Sequence, residues 1–246
     1  MRVNTYSIVA RCARTGDLGA AVASAVPAVG AVCLWMRPGV GAVSTQSWAN
    51  PYLAEATLDV MSEGVAPDKA LARALQGDPA RADRQIGAVG PSGGGAAFTG
   101  ADCDGWAGHI EGDGFAAQGN MLTGPEVLHA MAGALAEDRD APLELRLMRA
   151  LEAAQAVGGD KRGRQSAAIS VVGVEFYPRV DLRVDEHPDP VAELRRVLDV
   201  ASDQLAPFVD GMPRRGLEPG PAPRRVVQLL SMSPPDRPGG GGSRKP

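Results

Sequence analysis

The sequence predicts an α+β fold, a four-layer αββα sandwich in which two stacked antiparallel sheets are covered by helices on both outer sides. Three observations lead there. Strand and helix signals come in blocks (strands, two helices, strands, two helices, strands, one helix), which argues for segregated layers against alternating βαβ units. The strand candidates are near-continuous apolar runs, as strands buried on both faces require. Aromatic residues make up only 4% of a chain that is 44% hydrophobic, so Ala and Val must fill much of the interior.

Each element has its own signal. Thr5 to Arg11 alternates and is rich in β-branched residues, Thr15-Gly16-Asp17 reads as a turn, and Leu18 to Ser24 is a second apolar run, giving a hairpin. Gly30 to Trp35 and Val40 to Ser47 flank the Pro38-Gly39 turn signal and predict a second hairpin. Two helices follow, Pro51 to Glu63 and Pro67 to Gln76, each with Pro in its first turn and a glycine, Gly64 or Gly77, where a C-terminal cap belongs. Gln85 to Val89, a turn at Gly93 to Gly95, Ala96 to Thr99 and Gly114 to Gln118 continue the strands. Helices over Pro125 to Ala136 and Pro142 to Val157 precede strands at Ala167 to Val174 and Asp181 to Val184. Asp189-Pro190 then reads as an N-cap with Pro at the first helical position, opening a last helix to about Leu205.

The charges divide the chain in two. Overall it carries 25 Lys and Arg against 29 Asp and Glu, a net −4, which gives no electrostatic support for general nucleic-acid binding. Residues 1–211 hold 18 basic and 27 acidic side chains, whereas residues 212–246 hold seven and two, together with eight of the 20 prolines and the Gly239 to Gly242 run. The expectation is one domain over 1–211 and a disordered basic tail over 212–246, whose one short apolar stretch, Val226 to Leu230, offers little to bury. Cys12, Cys33 and Cys103 form no CxxC pair, so neither a disulfide framework nor a zinc cluster is indicated, and a reducing, cytoplasmic setting is expected. The uncharged stretch Leu18 to Met36 is interrupted by Pro27 and built of Ala, Gly and Val, so it is read as neither an export signal nor a membrane span.

Polar clusters in loops that meet the strands are where chemistry is expected. They are Thr5 at the first strand, Ser44 to Asn50 before the first helix, Gln118-Gly119-Asn120 before the third, and Gly159 to Ser166. His109, His129 and His187 lie far apart and predict no triad or metal site, and the acidic group Asp102, Asp104, Glu111 and Asp113 reads as a solvated loop. No metal or cofactor is expected.

Several long blocks also resemble a known family. They are Thr5 to Arg11 with Thr15-Gly16 and Leu18-Gly19, Gly39 to Val43 through Gln46 and Asn50-Pro51, Phe98-Thr99-Gly100, Trp106-Ala107-Gly108-His109, Gln118-Gly119-Asn120 with Gly124 to Val127, and Gly159-Asp160 with Arg162-Gly163 and Gln165 to Ala168. Across residues 5 to about 205 they resemble the bacterial family called domain of unknown function 1028. That family looks like the N-terminal nucleophile (Ntn) hydrolases, and the resemblance implies the same αββα sandwich. It also implies a chemistry. A threonine hydroxyl is a poor nucleophile unless a base stands beside it, and an N-terminal threonine supplies its own α-amine, of pKa about 7.7 to 8.0, for that role. Thr5 occupies the corresponding position, with Asp160 and Ser166 supporting the amine and Asn120, with backbone donors around Gln46 and Ser47, facing a developing oxyanion. Gln46, Asn50, Trp106, Arg162, Arg164 and Gln165 are the substrate-side candidates. Proteasome-type peptidases carry an Asp where Ser24 stands and a Lys near Val29 to Val32, where nothing is basic.

The expected function is thus Ntn-type hydrolysis of a C–N amide bond in a small-molecule or peptide-like substrate, with no nucleic-acid or membrane partner and with a homodimer open. Thr5 is preceded by Met1 to Asn4, so its nitrogen must be exposed by removal of those residues. A catalytically silent binding or assembly module on the same fold is the alternative.

Overall fold

The structure, a computed structural model, describes residues 5–244. Ten strands and eight α-helices follow one another as β1 (Thr5–Arg11), β2 (Leu18–Ser24), α1 (Gly30–Cys33), β3 (Leu34–Arg37), β4 (Gly41–Ser47), α2 (Pro51–Ser62), α3 (Pro67–Gln76), β5 (Arg84–Gly90), β6 (Gly93–Thr99), β7 (Trp106–Gly112), β8 (Phe115–Leu122), α4 (Glu126–Ala136), α5 (Leu143–Ala156), β9 (Ser166–Val172), β10 (Pro178–Val184), α6 (Pro190–Gln204), α7 (Ala206–Asp210) and α8 (Arg224–Ser231). One sheet has six strands in the order β10-β9-β2-β1-β8-β7 and the other four in the order β3-β4-β5-β6, every pairing antiparallel. This is the four-layer αββα sandwich that the block order predicts.

Side-chain alternation divides the interior into three apolar layers. Tyr6, Ile8 and Ala10 of β1 pack with Ala21, Ile169 and the buried faces of α4, α5 and α6. Val43, Ile86 and Ala88 pack under α2 and α3 with Leu53, Leu58 and Leu71. Between the sheets lie Val9, Leu18, Ala20, Ala42, Val89 and Ala116. Small residues let these layers close: a Cβ on Gly95 of β6 would stand 1.7 Å from the carbonyl oxygen of Phe115 in the facing sheet.

Four local expectations change. Gly30 to Trp35 is not a strand throughout: Gly30–Cys33 makes one helical turn, and β3 starts at Leu34, because here the chain leaves the six-stranded sheet for the four-stranded one. Gly93 to Gly95 opens β6, so the turn falls at Pro91 and Ser92. β7 has no apolar run to announce it, since it is an edge strand with His109 and Glu111 exposed. β8 continues to Leu122, so Asn120 lies in a strand and not in a turn before a helix. The segment expected as a tail holds the helix α8. Its one apolar stretch forms α8 and buries Val226, while Gln204 Nε2 donates to the carbonyls of Pro238 and Gly240, and Tyr177 Oη to that of Pro213.

Candidate active site

The layer between the sheets changes character along its length. The end just described is apolar, whereas the inward positions at the other end are Thr5 and Ser7 of β1, Ser24 of β2, Ser44 and Gln46 of β4, Gln85 of β5, Gln118 and Asn120 of β8 and Ser166 of β9, all buried. Burying so many polar groups is costly unless they bond one another, and they do. Ser7 Oγ donates to Gln46 Oε1 (2.6 Å) and accepts from Ser44 Oγ (2.9 Å) and Gln118 Nε2 (2.6 Å). Gln46 Nε2 donates to the carbonyl of Thr5 (3.1 Å), the carbonyl of Gln118 (3.3 Å) and Gln85 Oε1 (2.9 Å). Gln85 Oε1 also accepts from Asn120 Nδ2 (2.8 Å), and Gln85 Nε2 reaches the carbonyls of Gly119 and Gly108 and the Thr99 hydroxyl. Thr99 in turn meets the exposed ring of His109 at 2.9 Å.

Thr5 sits at the head of this network. In register it faces Ser24, which faces Ser166 on the next strand. Thr5 Oγ1 donates to Ser24 Oγ at 3.1 Å, and the residue is fully buried. Ser166 Oγ turns away to bridge the β2–α1 connection, donating to the Val26 carbonyl (2.6 Å) and accepting from the Val29 N–H (3.1 Å). Asp160, bridged to Leu122 at the end of β8, accepts from the Ala25 N–H (3.3 Å) and from the backbone N–H and guanidinium of Arg162, whose Nη2 lies at 2.7 Å. Gln165 holds the same corner through its backbone, its N–H donating to the Ser24 carbonyl (2.9 Å).

Three buried acceptors at this end have no partner among the described residues: Ser47 Oγ, Gln118 Oε1 and Asn120 Oδ1. Ser47 (φ +63°) and Met121 (φ +54°), at the ends of β4 and β8, also hold left-handed backbone that side chains rarely adopt. Orphaned buried acceptors and strained backbone gather where a structure serves something other than its own stability.

The sequence candidates therefore separate. Thr5, Gln46 and Asn120 belong to one bonded layer, and Asp160, Ser166 and Arg162 stand behind the Ser24–Ala25 corner. Asn50 caps α2, accepting from the Tyr52 N–H, and its amide donates to Asp78 Oδ2 (3.2 Å). There it joins a buried ion pair, Arg84 Nε to Asp78 Oδ2 at 2.7 Å, while Arg84 Nη1 holds the Trp48 carbonyl (2.6 Å). Asn50 is thus a prop of the loop after β4. Trp106 packs against the layer under α4 and α5, and Arg164 is exposed and paired with Asp189 at 3.2 Å. Ser7, Gln85 and Thr99 carry no loop signal and escape a search for loop motifs. Their signature is a polar residue at an inward position of an otherwise apolar strand. Met1 to Asn4, whose removal the Thr5 chemistry needs, lie outside the described residues. Among the described residues, no group of three or more His, Cys, Asp or Glu is placed to hold a metal ion, and no helix is long and apolar enough to cross a membrane.

Fold and site together define an αββα-sandwich protein whose first strand opens on a buried threonine within a polar inter-sheet layer. Comparison with known proteins gives the family: the chain belongs to the family of unknown function DUF1028, which it matches over residues 5–194. A solved member from Silicibacter pomeroyi is 32% identical, with a TM-score of 0.79 over 85% of this chain and 95% of that one. Two more distant solved structures are Anbu (ancestral beta-subunit) from Yersinia bercovieri, 14% identical with a TM-score of 0.40, and Anbu from Hyphomicrobium sp. strain MC1, 13% identical with 0.41, each over 86% of this chain and 100% of that one. No curated protein matches the chain.

Proposed function

We propose that the protein is a hydrolase of C–N amide bonds in a small-molecule or peptide-like substrate, with Thr5 as nucleophile once its α-amine is free. The observation that carries this reading is the position of the Thr5 hydroxyl: first residue of the central strand β1, facing the inter-sheet layer, 3.1 Å from Ser24 Oγ, beside the orphaned acceptors just described. In the chain as written the Thr5 nitrogen is an amide bonded to Asn4 and has no basicity. Cleavage before Thr5 turns it into an amine of pKa about 7.7 to 8.0, basic enough to take the hydroxyl proton at neutral pH. Oγ1 then bonds to the substrate carbonyl carbon, the C–N bond breaks as the proton passes to the leaving nitrogen, and water hydrolyses the Thr5 ester to release the acid and restore the hydroxyl. Asn120 Nδ2 and the Ser24 hydroxyl would be the side-chain donors that steady the oxyanion. Asp160 and Ser166, holding the backbone on either side of Ser24 and Ala25, would position that end.

One observation favours a second reading, a non-catalytic binding module: Thr5 is fully buried and the layer around it is filled by side chains bonded to one another. Intact mass and a hydroxyl-directed β-lactone probe separate the two. The hydrolase reading expects a species beginning at Thr5 that gains one probe mass, and no gain in Thr5→Ala. An active protein that retains Met1 to Asn4 sinks the mechanism, and ligand binding indifferent to Thr5→Ala supports the binding module.

A further inference from the structure

The far end of β1 carries a second constellation, unrelated to Thr5. Six residues along the strand, roughly 20 Å away at the usual rise per residue, Arg11 opens onto a cavity of about 440 Å³. Its walls come from the β1–β2 turn, the β7–β8 turn, the connection between α4 and α5, and α5 itself, and four of its lining side chains are arginines: Arg11, Arg14, Arg139 and Arg146. Two carboxylates, Asp113 and Asp140, also line it, leaving an excess of two positive charges in a body that is otherwise acidic.

What these arginines bond to is more telling than their number. Among the described residues, none of the four has a carboxylate within ion-pair distance, although ten other arginines do. Arg146 is buried and spends Nε and Nη2 on one carbonyl, that of Leu135 at the end of α4 (3.0 and 2.7 Å). Burial holds its pKa below the ordinary guanidinium value, with the neighbouring Arg139 charge acting in the same direction. Arg14 Nη2 donates to the Asp140 carbonyl at 3.2 Å. Arg11 Nε is buried with no partner at all. Four guanidiniums that line one cavity with no carboxylate in ion-pair distance repel one another, and an anion that accepts from several of them together offsets that cost. Arginine is also the side chain whose planar fork matches an oxyanion in two bonds at once.

We propose that this cavity binds a small organic oxyanion of charge about −2, a phosphate monoester or a dicarboxylate, the charge of a phosphate group near neutral pH. Arg11 and Arg146 form the floor of the anion subsite, the exposed Arg14 and Arg139 close over it, and Phe115 and Leu135 offer an apolar wall to the remainder of the ligand. The volume is within the range of small-molecule sites.

Calorimetric titration of the full chain at constant ionic strength tests this with two probes, phenyl phosphate for phosphate monoesters and succinate for dicarboxylates, each against added chloride. One saturable site for either probe is expected, and whichever binds names the chemistry. Arg11→Met should weaken that binding at least tenfold and Arg139→Gln several-fold, whereas Arg183→Gln, in a pair with Asp185 elsewhere, should leave it unchanged. If Arg11→Met fails to fold, Arg139→Gln at the exposed rim decides. Heat no larger than with chloride, or binding that both rim and floor variants leave intact, overturns the proposal.

Discussion

The Asp78–Arg84 pair offers a test whose size follows from the structure. Both side chains are almost inaccessible, 5% and 9% exposed, and the guanidinium engages the carboxylate through Nε at 2.7 Å and Nη2 at 3.2 Å while Nη1 holds the Trp48 carbonyl. Arg84→Met removes all three bonds and strands a buried carboxylate, a loss of about 3 to 5 kcal/mol. For a chain of this size that corresponds to a fall of roughly 6 to 20 °C in Tm. Asp78→Leu with Arg84→Met should recover part of the loss, although the Ala80 N–H and the Asn50 amide, both bonded to Asp78, then go unpaired at about 1 to 3 kcal/mol. Acid gives an independent reading. The Arg84 hydrogen bonds, chiefly, hold the Asp78 carboxyl at about 2, below its ordinary 3.8. A carboxyl depressed in the folded state contributes its full stability above pH 4 and loses it as pH falls from 4 toward 2. Urea unfolding of wild type and of Asp78→Asn between pH 5 and 2 measures that contribution, the variant lacking this part of the acid sensitivity. A cost below about 1 kcal/mol for Arg84→Met alone would refute the reasoning, since no buried charge left unpaired is so cheap.

Other outcomes follow from single contacts. Gln46→Ala removes the group that joins Ser7, Thr5, Gln118 and Gln85, so urea unfolding should show a loss of about 2 to 4 kcal/mol, more than one exposed hydrogen bond yields. Gly95→Ala drives a methyl into the Phe115 backbone and should cost 3 kcal/mol or more, about the upper end for overpacking, with poor soluble yield as the first sign. Burial pushes the Cys33 thiol up to about 12, so mass spectrometry after iodoacetamide at pH 8 should find Cys33 unmodified in the folded protein and alkylated in urea.

The sandwich could be read from the sequence because its causes are local and repeated. Seven-residue runs such as Leu18 to Ser24 need two buried faces, and Asn50-Pro51 and Ala66-Pro67 announce where α2 and α3 begin. What escaped was set by tertiary position. β7 is half-polar because it lies at a sheet edge, and Gly30–Cys33 turns helical because it crosses between sheets, neither of which a window of sequence contains. Val226 of α8 is buried although most residues around it are exposed, a feature that the composition of the whole segment does not single out.

The candidate site was legible where it follows loop chemistry and hidden where it follows strand parity. Thr5, Gln46, Asn120 and Asp160 stand in recognisable clusters, yet the side chains that bind Gln46 and Asn120 into one layer, Ser7 and Gln85, are single polar residues inside apolar strands. Parity decides their meaning. Ser7 shares its face with Thr5 and Val9, and Gln85 shares its face with Val89, so all of them point between the sheets, apolar at one end and polar at the other. A core built for stability alone would place Val or Ala at Ser7, Ser44, Gln46 and Gln85, as it does at Val9, Ala42 and Val89. The polar end instead buries three acceptors without partners among the described residues and holds two of the four described non-glycine residues in left-handed backbone. Those costs fall together within the end where β1 begins. That concentration is the physical reason to look for chemistry at Thr5, and it stands whether the family's fold resemblance is weighed or left aside.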